Sequence, residues 1–282
     1  MKILITGANG MLAKSVRARL GKENELICTD VADLDITDEQ AVMKFVQENK
    51  PEYIVNCAAF TAVDKAEEVY DLAEKINSDG PANLAKAAKS IDATLVHIST
   101  DYVFDGDLDV SKSYVEEDEV GPVTVYGKTK LHGEEQVKKN TDKYYIFRTA
   151  WLYGDGNNFV RTMLKLGQER EEVSVVADQH GSPTYAEDLA NIIGEAIEKK
   201  IPYGLYHSTN QGFTTWYGFT QKIYELAKVD CKIKPVTSEE FVRPAKRPKN
   251  SQLNKDKLLA QGITVPTWED GLKRYLEVEL SK

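Results

Sequence analysis

Tyr126 and Lys130 stand four residues apart at what reads as the start of a helix, in the run Tyr126-Gly127-Lys128-Thr129-Lys130. Positions i and i+4 share one helix face, so a phenol and an ammonium with this spacing can enter one cleft. A phenol near its ordinary pKa of about 10 is a poor proton shuttle at neutral pH, and a close cation favours the phenolate. The chemistry on offer is proton transfer to or from an oxygen. A hydroxyl to share that work lies upstream, where the apolar run Leu95-Val96-His97-Ile98 ends in Ser99-Thr100-Asp101-Tyr102-Val103-Phe104. The Tyr-x-x-x-Lys pattern is loose, and Tyr224 with Lys228 repeats it. That second occurrence reads as a helix surface; the first is set apart by following the hydroxyl-rich strand end.

The elements that must place this pair begin at the N-terminus. Lys2 to Ile5 reads as a buried strand, followed by Thr6-Gly7-Ala8-Asn9-Gly10-Met11-Leu12-Ala13 and an amphipathic run to Leu20. Strand, glycine turn and helix form the setting in which backbone N–H groups and a helix N-terminus attract a dinucleotide pyrophosphate. The motif is Gly-x-x-Gly-x-x-Ala, with Ala13 where a third glycine would serve close helix–strand packing. A glycine pair by itself is also an ordinary strand-to-helix turn. A second strand, Glu25 to Thr29, ends at Asp30, about 20 residues beyond the turn, where an acid can bond the adenine ribose 2′-hydroxyl. Val31 follows rather than an arginine, which disfavours a 2′-phosphate and predicts NADH in preference to NADPH; the lesser alternative is Asp30 as a solvated loop acid.

Asp35-Ile36-Thr37-Asp38 caps a helix from Glu39 to Glu48, and Tyr53 to Ala59 reads as an apolar strand. Its last residues, Ala58 and Ala59, leave room for a flat cofactor or simply pack closely. Helical periodicity over Asp71 to Asn77 and Pro81 to Ser90 leads to the strand ending in Thr100. Strands and helices thus alternate to about residue 151, which predicts an α/β fold with a doubly wound parallel sheet of the Rossmann kind. In such sheets ligands bind at the carboxyl ends of the strands. Gly7, Asp30, Ala58-Ala59 and Thr100 all fall there.

The strand from Tyr144 to Leu152 reaches Tyr153-Gly154-Asp155-Gly156, where the alternation loosens. Helices are expected over Phe159 to Gly167, Ala186 to Lys199, Thr214 to Lys228 and Trp268 to Leu280, with strands at Val173 to Ala177 and from Tyr203. The resulting division is a dinucleotide-binding domain of residues 1–151, with 173–200 packing back onto it. Residues 152–172 and 201–282 make a smaller C-terminal substrate-binding lobe. The basic stretch from Lys246 to Lys249 is a solvated loop or a diphosphate contact.

Composition limits the partners. Among 282 residues, 36 Lys and Arg against 45 Asp and Glu give a net charge of −9, which argues against nucleic acid and anionic membrane surfaces. Cys28, Cys57 and Cys231 are widely spaced with no Cys-x-x-Cys pair, which argues against a disulfide framework and fits a reducing cytoplasm. His97, His132, His180 and His207 lack metal-ligand spacing, so no metal is expected. The opening apolar run is too short for a signal peptide, and no later stretch approaches a membrane span.

Long segments carry a resemblance: Asn56-Cys57-Ala58-Ala59-Phe60-Thr61-Ala62-Val63-Asp64-Lys65-Ala66-Glu67, Ser99 to Gly106, Tyr126 to Lys130, Arg148-Thr149-Ala150-Trp151-Leu152-Tyr153-Gly154, and Asp178-Gln179-x-Gly181-x-Pro183-Thr184. Over nearly its whole length the chain resembles the extended short-chain dehydrogenase/reductase family, and within it the dTDP-4-dehydrorhamnose reductase branch. The resemblance implies reduction of a nucleotide-linked 4-keto-6-deoxy sugar by NADH or NADPH. Tyr126 would donate the proton, Lys130 would lower its pKa and hold the nicotinamide ribose, and Thr100 would hydrogen-bond the ketone. Cofactor contacts are expected from Gly7, Asn9, Gly10, Met11, Leu12, Asp30, Asp35, Ile36, Ala58, Ala59 and Phe60, besides Tyr126 and Lys130. Asp101, Tyr102 and Trp151 would line the sugar pocket beside Thr100, and Arg247 would pair with the diphosphate. Trp151 is alternatively a core aromatic, and Arg247 a surface arginine.

Related sugar dehydratases follow the threonine with Asp-Glu; here Tyr102 follows Asp101, so the elimination acid is incomplete. An NAD-dependent sugar-nucleotide epimerase uses the same tyrosine and stays open. A non-catalytic regulatory subunit like the methionine adenosyltransferase beta subunit, and assembly as a homodimer, stay open as well.

Overall fold

A computed structural model describes residues 1–281. The first half runs β1 (Lys2–Thr6), α1 (Met11–Leu20), β2 (Glu25–Thr29), α2 (Glu39–Asn49), β3 (Tyr53–Asn56), α3 (Val63–Ala66), α4 (Tyr70–Glu74), a π-helical turn (Lys75–Asp79), α5 (Gly80–Ser90), β4 (Thr94–Thr100), α6 (Val125–Asn140) and β5 (Tyr144–Thr149). There follow β6 (Leu152–Tyr153), α7 (Phe159–Glu169), β7 (Glu172–Val176), β8 (His180–Gly181), β9 (Thr184–Tyr185), α8 (Ala186–Lys199) and β10 (Gly204–His207). The chain closes with β11 (Thr214–Thr215), α9 (Trp216–Ala227), β12 (Lys232–Val236), α10 (Asp256–Leu259) and α11 (Trp268–Glu279).

Six strands form one parallel sheet in the order β10-β5-β4-β3-β1-β2. Successive residues of a strand face opposite sides, and both sides here are covered by helices, as parallel sheets require. Ile3, Ile5, Val55, Val96 and Phe147 pack under α1 and α8 through Leu12, Val16, Leu189 and Ile193. Leu4, Ile54, Leu95 and Ile146 face the other way, against Val42, Val46, Leu84 and Val137 of α2, α5 and α6. The strand order turns back between β1 and β3, the switch point where such sheets open a crevice. Gly7 lies there with φ +61°, and a Cβ on it would come within 2.7 Å of the Ala58 Cα. The two loops touch backbone to backbone, which only glycine allows.

The smaller lobe has its own core of Val160, Leu164, Phe219, Ile223, Leu272 and Leu276. Its β7 pairs with β12, whereas β10 is the edge strand of the main sheet beside β5. Both facts correct the boundaries drawn from sequence. Residues 173–176 belong with the lobe rather than packing back, and 204–207 belong with the first domain rather than the lobe. These strands are too short for periodicity to reveal their partners. Of the stretch 173–200, α8 packs on α1. Tyr224 is also corrected: it is buried, with its hydroxyl donating to the Met163 carbonyl at 2.9 Å. The second Tyr-x-x-x-Lys is therefore lobe core at its tyrosine end, not helix surface.

Two strands stop earlier than their apolar runs suggest. Asn56 ends β3 because its side-chain oxygen accepts from the Thr6 hydroxyl at 2.7 Å and the Ala58 N–H at 3.1 Å, turning the chain. β5 ends at Thr149, and Trp151 takes a left-handed φ of +48°. Between α4 and α5, the π-helical turn aims Asn77 back at the loop after β3. Its side chain there bonds both the N–H and the carbonyl of Phe60. Gly133 of α6 lies against the Asn77 carbonyl, leaving no space for a Cβ.

Helix α6 is fastened to the sheet by a buried ion pair. Arg148 donates from Nε and Nη2 to the two carboxylate oxygens of Glu134 at 2.8 Å each, and the Ser99 hydroxyl donates to the same carboxylate at 2.6 Å. Burial alone would raise the Glu134 pKa, but the bidentate Arg148 contact and Ser99 hold it below the usual carboxylate value. Removing one partner of such a pair strands a buried charge. Arg148→Met is expected to lower stability by about 3–5 kcal/mol, measured as a fall in the thermal unfolding midpoint; a midpoint equal to that of the unaltered protein would show that the pair anchors nothing.

Candidate active site

Three cavities join end to end along the carboxyl edge of the sheet. The first, of 490 Å³, is lined by Gly7, Gly10, Asp30, Asp35, Ile36, Ala58 and Ala59 together with Val31, Thr37, Leu72 and Lys75. The second, of 390 Å³, is lined by Gly10, Met11, Leu12, Ala58, Ala59, Thr100, Asp101, Tyr102, Tyr126, Lys130 and Trp151. The third, of 520 Å³, lies between the sheet and the lobe and is lined by Asp64, Tyr102, Trp151, Gln179, Trp216, Arg243 and Arg247 among others. Gly10, Cys57, Ala58 and Ala59 are shared by the first two, and Tyr102 and Trp151 by the last two. The result is a trench whose middle holds the tyrosine and the lysine.

The first two cavities fit a dinucleotide. Gly10 caps α1 with no side-chain bond, so the first-turn N–H groups are free to meet a pyrophosphate. Small residues at Ala58 and Ala59 form the shared floor. Asp30 accepts from the Asn9 and Val31 N–H groups at 3.1 and 2.8 Å, which fixes its carboxylate at the mouth. Asn9 and Phe60 are not on the cavity walls; Asn9 acts through Asp30, and the backbone of Phe60 is tied to Asn77. Lys75, at the start of the π-helical turn, is the one cation among the described residues on the wall that carries Asp30 and Asp35. Nothing in its local sequence marks it for that position.

At the centre, Thr124 caps α6 by accepting from the Gly127 N–H at 3.0 Å. Gly127 lies so close to the Tyr102 carbonyl that a Cβ would collide with it. The helix start is thereby pressed against the turn after β4, which brings Tyr126 to Thr100 and sets the Tyr102 and Tyr126 rings edge to face at 5.5 Å. Lys130 is buried, and its ammonium donates to the Ile98 carbonyl at 2.5 Å.

Burial pushes Lys130 down to about 8, although Glu134 opposes the shift. Burial also pushes the Tyr126 phenol up to about 12, a hydrogen bond with Thr100 acts the other way, and the Asp101 charge adds to the rise. The expectation that Lys130 lowers the phenol pKa is thus corrected. The ammonium is directed at a backbone carbonyl, and desolvation outweighs any help it gives. The chemical consequence is a phenol that stays protonated at neutral pH, which suits an acid better than a shuttle.

Asp101 accepts from the Thr100 hydroxyl at 2.9 Å and from the Ser251 hydroxyl at 2.5 Å, and burial raises its pKa to about 6. Trp151 is a wall rather than core. It stacks on Trp216 with centroids 3.6 Å apart, and Gly181 behind it leaves room for the indole only because it lacks a Cβ. Arg247 donates from Nη2 to Asp64 at 2.9 Å, while its buried Nη1 has no partner among the described residues and the residue lines the third cavity. An unpaired guanidinium N–H of this kind is suited to a phosphate oxygen. Asp64, Trp216 and Ser251 join the site only through the fold, being distant in sequence from the residues they touch.

His97 and His207 are buried with pKa values lowered by burial, the latter to about 3. His132 pairs with Glu74 at 2.9 Å. Among the described residues no group of His, Cys, Asp and Glu could hold a metal, and no helix is long and apolar enough to cross a membrane.

Comparison with known proteins agrees with this geometry. The family model described as the RmlD substrate binding domain matches residues 1–280. A dTDP-4-dehydrorhamnose reductase of Escherichia coli is 39 % identical over 98 % of this chain and 97 % of its own. The crystal structure of a dTDP-4-dehydrorhamnose reductase from Clostridium acetobutylicum superposes with a TM-score of 0.96 at 53 % identity, covering 99 % of this chain and 100 % of that one. Another from Bacillus anthracis, solved in complex with NADP, gives 0.94 at 45 % identity over 98 % and 99 % of the two chains. With a match across both lobes and the trench between them, the chain belongs to the RmlD substrate binding domain family, among the dTDP-4-dehydrorhamnose reductases.

Proposed function

We propose that this protein reduces the 4-ketone of dTDP-4-dehydro-L-rhamnose to give dTDP-L-rhamnose, with Tyr126 as the proton donor. The observation that carries the reading is that Tyr126, Lys130 and Thr100 share the wall of the second cavity, which joins the third through Tyr102 and Trp151. The Escherichia coli relative and the Clostridium acetobutylicum structure, both of matching length, are reductases by name, which favours reduction over epimerisation.

The second cavity would hold the nicotinamide, which when bound would supply the hydride. The residues of the chain do the rest. Trp151 and Tyr102 separate the two halves of the trench and confine the sugar, and stacking on Trp216 holds Trp151 in its left-handed conformation. Arg247, steadied by Asp64, offers its unpaired N–H to the diphosphate. Lys130 lies on the cofactor wall with Tyr126, where its ammonium can hold a ribose hydroxyl. As charge develops on the ketone oxygen, the Tyr126 proton passes to it, which is favourable because even a phenol raised to about 12 is more acidic than the alcohol that forms. Asp30 and Asp35 against the single cation Lys75 make the adenosine end net acidic, which supports NADH as the preferred cofactor and leaves NADPH usable. A reducing cytoplasm suits the three free cysteines.

Tyr126→Phe is expected to lower kcat by about 10²-fold or more while NADH binding, followed by fluorescence, stays within about twofold; retention of most of the activity would remove Tyr126 as the acid. Asp30→Ala is expected to narrow the ratio of kcat/KM for NADH to that for NADPH, and an unchanged ratio would refute a ribose role for Asp30.

A further inference from the structure

The Thr100 hydroxyl has one proton and three neighbours. It donates to Asp101 Oδ1 at 2.9 Å, accepts from the Tyr102 N–H at 3.3 Å, and shares the wall of the second cavity with the Tyr126 phenol. A hydroxyl donates once, so while Asp101 holds that proton Thr100 can only accept from the phenol. That arrangement keeps Tyr126 in its acid form. Once Tyr126 has given up its proton the requirement reverses, because a phenolate in a buried site needs a donor. Thr100 can supply it only by turning away from Asp101, which would strip the carboxylate of one of its two side-chain donors. The other donor is Ser251, whose hydroxyl bonds Asp101 Oδ2 at 2.5 Å. Ser251 comes from the far end of the chain and is itself buried, with its N–H anchored on the His180 carbonyl at 2.7 Å. It lies on none of the three cavity walls of the trench.

We infer that Ser251 is a positioning residue for the reduction: by holding the Asp101 carboxylate it sets the direction of the Thr100 hydroxyl, toward Asp101 at rest and toward Tyr126 when the phenolate forms. No atom is transferred through Ser251; it keeps Asp101 ionised and paired while Thr100 turns. The other titratable groups facing Asp101 are the Tyr102 and Tyr126 phenols, with Lys130 on the same helix as Tyr126, and Asp64 and Arg247 beyond Tyr102. None of these replaces the Ser251 bond. The inference rests on Tyr126 and Thr100 being the proton machinery.

The test is steady-state kinetics of the full-length protein across pH, with NADH and the keto sugar nucleotide. Ser251→Ala removes a hydrogen bond to a charged acceptor. It is expected to lower kcat about tenfold, to leave KM for NADH within about twofold, and to move the acid limb of the kcat profile to higher pH, since losing a donor favours the protonated carboxyl. Ser251→Thr keeps the hydroxyl and is expected to restore both kcat and the limb. Asp101→Asn, which keeps the shape but cannot ionise, is expected to abolish the limb and so assigns it to Asp101; if Ser251→Ala does not fold, Ser251→Cys, a weaker donor of similar size, is expected to move kcat and the limb in the same direction. An acid limb left in place by Ser251→Ala, or one that survives Asp101→Asn, would overturn the inference. If Tyr126→Phe is inactive while the limb ignores Ser251, only the positioning role fails; if Tyr126→Phe is active, the proton machinery itself has been misassigned.

Discussion

The site depends on one buried carboxylate, Glu134, clamped by Arg148 and Ser99. Through it the helix that carries Tyr126 and Lys130 is locked to the ends of β4 and β5, the strands that carry Thr100 and Thr149. Burying two charges is costly, and an apolar pair of similar volume would often be as stable. What the ion pair adds is direction: a bidentate contact fixes rotation as well as distance. Three close backbone approaches complete the restraint, Gly7 on Ala58, Gly127 on Tyr102 and Gly133 on Asn77. Each lets two elements meet with no side chain between them.

That tight packing determines the electrostatics. Lys130 and Tyr126 are removed from water, and desolvation moves each toward its neutral form. A protein built to take a proton from an alcohol would want a phenolate at rest. This one holds a neutral phenol behind a threonine whose own proton is committed to Asp101. A neutral phenol at rest is the state that the proposed proton donation requires.

Much of this was legible in the sequence where function depends on local pattern. The glycine turn, Asp30 at the end of β2, the small residues after β3 and the Tyr-x-x-x-Lys helix are each confined to a few consecutive residues, and the fold sets them on one trench. What could not be read depends on pairings between distant segments. β10 joins the main sheet and β7 the lobe because of partners that four- and five-residue strands do not announce. Asp64 meets Arg247, Trp216 meets Trp151, and Ser251 meets Asp101 across the interface of the two lobes. Spacing on a helix face correctly placed Tyr126 beside Lys130, yet it could not show that the ammonium would turn to the Ile98 carbonyl. Burial, which no local pattern states, shifts both groups toward their neutral forms.

The central claim is that the trench brings a nicotinamide and a sugar ketone together for direct reduction. It is tested most directly by supplying NADH deuterated at the transferring position together with dTDP-4-dehydro-L-rhamnose, and following the sugar product by NMR. The account predicts dTDP-L-rhamnose with deuterium bonded to the sugar carbon that carried the ketone. Unconsumed ketone with both NADH and NADPH, or a reduced sugar lacking the label, would contradict it.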